Sequence, residues 1–140
     1  MKKKSGFTAF VDWLKTSEMF ARPSKQLPGK WNLVEYYVEP ENDLVYFDEN
    51  RLKEENLFWE LEFTKTQKYY HKTNIPVSLI TLIEDGTWSH SGNFISLINP
   101  NDFRKSNEFQ FAIDKNTLKL LKKDALGKIE FFGTLTKTEI

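Results

Sequence analysis

Glu35 and Tyr37 are the two residues whose types and spacing bear most directly on chemistry. They stand two apart in Trp31-Asn32-Leu33-Val34-Glu35-Tyr36-Tyr37-Val38, a run rich in β-branched and aromatic side chains that reads as a strand. Alternate side chains of a strand share a face. If Trp31 points inward, Leu33, Glu35 and Tyr37 follow it. A carboxylate among apolar groups is costly unless it is paired or hydrogen-bonded. An inward Glu35 therefore reads as a polar anchor for a ligand, with Tyr37 beside it. The opposite register turns Val34, Tyr36 and Val38 inward and leaves Glu35 in water. Both registers stay open at this level.

Other reactive constellations are thin. Cysteine is absent, which excludes a disulfide scaffold, a thiolate metal site and a thiol nucleophile. His71 and His90 are the only histidines, and their spacing to carboxylates matches no zinc or iron pattern, so neither a metal nor another cofactor is expected. No nucleophile elbow, zincin helix or phosphate loop occurs. Tyr36, Tyr37, Tyr69 and Tyr70 with Glu35 offer acid/base groups, so a small-molecule lyase or isomerase is the weaker alternative. The aromatics among the lysines of 65–72 faintly suggest single-stranded nucleic acid. A polar outer sheet face explains them more cheaply, and a formal net charge of zero argues against a phosphate-rich partner.

These residues need elements to hold them. At 140 residues the chain is the size of one domain with a core of its own. Pro28-Gly29 opens the first strand and Pro40 stops it. Strand-like runs then follow over 57–66, 67–73, 77–83, 87–90, 93–98, 109–113, 118–123 and 129–137, separated by turn signals such as Asp85-Gly86, Ser91-Gly92 and Gly127. The short spacing calls for about eight antiparallel strands in up-and-down order, with no helix between them. Such a set closes into a barrel with room for one small ligand. Trp59, Phe63, Phe109 and Phe111 would be its apolar wall.

Two stretches stand apart. In 7–20, Phe7, Phe10, Val11 and Leu14 form one helical stripe, so the arm of residues 1–28 carries a short amphipathic helix ahead of a barrel over 29–140. Its charge is +4, from six basic and two acidic side chains. Residues 40–56 carry six acidic side chains against Arg51 and Lys53. Within them Leu44-Val45-Tyr46-Phe47 reads as a short strand or a docking patch. A connection this long is a lid, a binding loop or a plain excursion, and it is the candidate surface for a protein partner. The lysines at 2–4 are not followed by an uninterrupted apolar run, and no stretch is long enough to span a membrane. The expectation is a protein without an export signal, in the cytoplasm.

Gly29-Lys30-Trp31 within GKWNLVEYYVE resembles the Gly-x-Trp signature of the lipocalin-like (calycin) families. The tail FQFAIDKNTLKLLKKDALGKIEFFGTLTK is similar to the closing hairpins of bacterial lipocalin-like proteins. The resemblance covers roughly 27–138. It implies an all-β, eight-stranded up-and-down barrel that binds a small apolar or amphipathic molecule. It also implies that Trp31 lies at the closed end with a basic side chain of the last strand over it. Parity makes that residue Lys137, where the family usually has Arg. The alternative is a filled barrel that acts as a protein-interaction module.

Overall fold

The structure, a computed structural model, describes residues 23–138. The helix expected over 7–20 lies outside the described residues. A short helix α1 (Pro23–Gln26) leads into β1 (Gly29–Val38). There follow β2 (Val45–Phe47), helix α2 (Glu49–Glu54), β3 (Trp59–Phe63), β4 (Lys68–Thr73), helix α3 (Ser78–Thr81), β5 (Gly86–Ser91) and β6 (Phe94–Ile98). A 3₁₀ turn (Phe103–Lys105), β7 (Asn107–Asp114), β8 (Thr117–Lys123) and β9 (Ile129–Lys137) complete the chain. All pairings are antiparallel; β1 pairs β3, the strands from β3 to β9 pair in sequence order, and β1 pairs β9 to close an eight-stranded barrel. The short β2 is an extra strand. It pairs only the last residues of β1, from Tyr36 to Val38, while β3 pairs the first, from Gly29 to Asn32.

Up-and-down order sorts the connections by end. The turns β3–β4, β5–β6 and β7–β8 fall at one end and are tight. Each contains a residue at positive φ: Gln67, Gly92 and Lys115. The connections 39–58, 74–85, 99–106 and 124–128 fall at the other end and carry α2, α3 and the 3₁₀ turn. The barrel therefore has a closed end of short turns and an open end of long ones.

Two expectations about elements are corrected. Residues 77–83 form no strand. The hydrogen bonds Thr81 N–H to Val77 O (3.0 Å) and Leu82 N–H to Ser78 O (3.1 Å) make a helical turn. Ile80 and Ile83, three apart, go inward while Leu82 is exposed. A short apolar run fits either period, and here the helical one wins. The connection 40–56 likewise holds a helix, α2. Asp48 accepts the Arg51 N–H at 2.8 Å as its N-cap, and Leu52 packs into the core.

Inward side chains from every barrel strand merge into one cluster. Trp31, Tyr36, Trp59, Phe63, Tyr69, Phe109 and Phe131 are essentially without exposed surface. Burial of this many large side chains is the main stabilising term of the fold, about 2 kcal/mol for each. Packing is tight at Gly133, where a Cβ would stand 2.5 Å from the Phe131 ring. A second, smaller cluster lies on the outer wall: Ala112, Leu121, Ile129 and Phe132, with Tyr37 and Leu44 against them.

Candidate functional site

One bulge decides which residues of β1 can face a ligand. In the β1–β9 ladder Leu33 pairs Leu135, yet Glu35 pairs Thr134, so Val34 is an extra residue. An inserted residue reverses the alternation beyond it. Trp31 and Leu33 point inward before the bulge, and Tyr36 points inward after it. The inward alternation expected through Glu35 and Tyr37 thus stops at Leu33. Each of the two registers read from the sequence holds for half of the strand.

Glu35 and Tyr37 consequently stand on the outer wall. Glu35 accepts hydrogen bonds from the Tyr46 hydroxyl at 2.6 Å and the Thr134 hydroxyl at 3.1 Å. That bond to Glu35, more than any other influence, pushes the Tyr46 hydroxyl above its ordinary range. Tyr37 stacks between Tyr46 and Phe132, with ring centroids 4.5 and 5.4 Å away. Its hydroxyl is raised too, by burial and then by the Glu35 charge.

Trp59, Phe63, Phe109 and Phe111 are brought together in the interior cluster. Trp59 meets Phe131 edge-on at 5.6 Å, and Phe63 meets Trp88 at the same distance. The Trp59 indole N–H donates to His71 Nδ1 at 3.1 Å. That bond leaves Nε2 as the protonated nitrogen, facing the Ile83 carbonyl at 2.7 Å. Asp85 accepts the His71 backbone N–H at 3.0 Å, and the Tyr69 hydroxyl donates to the Glu84 carbonyl. Residues 83–85 are thereby tied to β4. His90 is exposed on β5, and the described residues hold no group of three or more His, Asp or Glu side chains arranged for a metal ion.

At the closed end the structure brings Trp31 and Lys137 together. The Trp31 indole N–H donates to the Leu27 carbonyl at 2.9 Å. The Lys137 ammonium lies 5.1 Å from the Trp31 ring centroid and donates to the Gln26 carbonyl at 2.7 Å. The residues just before β1 are thus fastened across the base of the barrel.

The open end holds the cleft with the character of a binding site. It has a volume of about 300 Å³ and lies between the end of β1, β2, α3 and the β8–β9 turn. Tyr36, Val38, Phe47, Val77 and Leu79 give it apolar walls. All but Tyr36 are only half-buried, resting on the interior cluster from above. Tyr36 is fully buried with its ring stacked on Phe47 at 4.5 Å, and its hydroxyl has no hydrogen-bond partner. Burial pushes that hydroxyl up to about 12, with the Arg51 charge opposing and the Glu55 charge adding, so it keeps its proton at neutral pH. An orphaned buried hydroxyl costs about 1–3 kcal/mol. This cleft was not drawn from the sequence, although the second register of β1 contained its central residue. A wider groove of about 460 Å³ runs over the outer faces of β1, β3 and β4. Charged side chains such as Lys30, Glu60, Glu62 and Lys72 line it, so it lacks a continuous apolar surface.

Among the described residues no helix is long and apolar enough to cross a membrane. Comparison with curated proteins, and separately with solved structures, gave no match. The profile of the lipocalin-like domain matches residues 27–120, from the turn before β1 into β8. With that match over more than half of the chain, and a closed eight-stranded barrel, the protein belongs to the lipocalin-like domain family.

Proposed function

We propose that the barrel binds a small apolar or amphipathic molecule at its open end. The observation that carries this reading is the apolar cleft over Tyr36, with a buried hydroxyl that no protein group satisfies. A cleft with hydrophobic walls and one well-placed polar group is the usual form of a small-molecule site. Tyr36, Val38, Phe47, Val77 and Leu79 would hold the ligand. Trp59, Phe63, Phe109 and Phe111 would support the site as its floor. Glu35 and Tyr37, on the other side of the wall, would brace β1 against β2 and β9.

Native mass spectrometry of the protein as purified, and again after delipidation and re-addition of the extracted material, tests the reading. A discrete added mass that returns is the expected result, and Phe47→Asp should abolish it. A bare mass throughout overturns it. That outcome would favour a filled barrel acting as a protein-interaction module. The dense aromatic interior supports this second reading, with the acidic connection 39–58 and its exposed Tyr46 and Phe58 as the contact surface. Turnover of a small molecule by the purified protein would be needed to support a lyase or isomerase. The tyrosines read as acid/base groups are scattered: Tyr36 and Tyr69 inside, Tyr37 and Tyr70 outside.

A further inference from the structure

Resting on that reading, the charges around the cleft narrow the class of ligand. A long-chain carboxylate needs a cation to receive its head group, because an unpaired buried charge is costly. Among the described residues no charged side chain is buried in the barrel. The Arg51 guanidinium, 4.0 Å above the Phe47 ring, is already engaged by Glu55 at 2.7 Å. Lys137 is at the opposite end, on Trp31 and the Gln26 carbonyl. The charged residues of the cleft itself are Glu39, Asp124 and Glu130 against Lys128 alone. Lys128 is half-buried and shares the lining with those three carboxylates, so the cleft offers an anion no net positive charge. Beyond Glu39, the adjoining connection adds six acidic side chains against two basic ones. An approaching anion meets a repelling field.

The group on offer at depth is instead a neutral donor. We infer that the cleft selects an uncharged amphiphile, an amide, ketone, ester or alcohol on a short apolar body, whose oxygen accepts a hydrogen bond from the Tyr36 hydroxyl, and that it discriminates against fatty carboxylates. The volume of about 300 Å³ stands at the small end of ligand sites, so the apolar body is short. A neutral oxygen satisfies the orphaned hydroxyl without bringing a charge out of water.

The test compares two probes of equal chain length, decanamide and decanoate, titrated calorimetrically at pH 7.5 into wild type and Tyr36→Phe. Decanamide should bind at least tenfold more tightly than decanoate. Tyr36→Phe should weaken decanamide about fivefold, as expected for one neutral hydrogen bond, and leave decanoate unchanged. The ligand-free Tyr36→Phe protein should melt no lower than wild type, which separates a lost contact from a damaged fold. Decanoate binding as tightly as decanamide, or a Tyr36→Phe protein with undiminished decanamide affinity, overturns the inference and leaves the carrier reading standing. Failure of both probes on wild type, together with a bare mass in the extract experiment, overturns both.

Discussion

Lys137 caps Trp31 from the last strand, its ammonium 5.1 Å from the ring centroid and 2.7 Å from the Gln26 carbonyl. One side chain thus joins both ends of the barrel sequence and the segment beneath them. Burial lowers its pKa, so the two contacts work against a desolvation cost. Lys137→Ala should lower stability by about 1–2 kcal/mol in urea unfolding. Lys137→Met keeps the packing and should recover part of that loss. Equal stability of all three proteins would deny the contact any role.

Gly133 gives a sharper steric prediction. Its missing Cβ leaves the space that the Phe131 ring occupies, and Leu33 Cδ1 lies 3.0 Å from that point. Phe131 in turn touches Tyr36 and Trp59. Gly133→Ala forces that aromatic group to move and should cost about 1–3 kcal/mol. A denaturation midpoint equal to that of wild type would show that the interior yields easily.

The chain from Trp59 through His71 to Ile83 can be cut at its middle. His71→Ala leaves a buried indole N–H without an acceptor and frees residues 83–85 from one of their ties to β4. The expected loss is about 2 kcal/mol. Hydrogen exchange should rise most in 74–85. A uniform rise across the barrel would show that the tie is not local.

Alkaline pH should unfold the protein through its buried tyrosines. Tyr36 and Tyr69 are both pushed up to about 12, burial being the first cause in each. In the unfolded chain they titrate near about 10. Between these values the folded state holds protons that the unfolded state has released. Stability is fully present below pH 10 and is lost as pH rises toward 12, by on the order of 1–2 kcal/mol for each tyrosine. Tyr36→Phe should remove the Tyr36 share of this alkaline slope and leave the part that comes from Tyr69 and from the raised Tyr37 and Tyr46 hydroxyls. It should also stabilise the ligand-free protein at pH 7 by about 1 kcal/mol, because an unsatisfied hydroxyl disappears. Thermal melts from pH 8 to 11.5 give both results.

Glu35→Ala separates the two sides of the wall. Loss of the Tyr46 and Thr134 bonds should cost about 1 kcal/mol, since the pair is partly exposed. Binding of decanamide should not change. A lost affinity would mean that the outer wall and the cleft are coupled.

What could be read from the sequence followed the reach of local rules. The pairing of Trp31 with Lys137 was readable because the resemblance to the lipocalin-like families implies a basic side chain of the last strand over that Trp, and strand parity then selects Lys137. The strands from Phe109 to Lys137 were readable because tight turns and strict alternation leave one register. The facing of Glu35 and Tyr37 stayed open between two registers because Val34 carries no mark of a bulge. An extra residue in a strand is decided by pairing with β9, a hundred positions away. Residues 77–83 were misread because seven mostly apolar residues satisfy both periods. The cleft was out of reach for a similar reason. Its walls come from β1, β2 and α3, and nothing local states that these meet.

The contrast between the two ends also has a practical side. Engineering of a receptor asks for a foundation that folds without help from the parts to be varied. Here the tight turns, the fastened base and the aromatic interior supply the foundation, while four connections surround the opening at which we propose that a ligand binds. Their sequences can be exchanged as a set, with Tyr36 kept or replaced to choose the polarity of the floor. The molecule is in that sense a cup with an interchangeable rim.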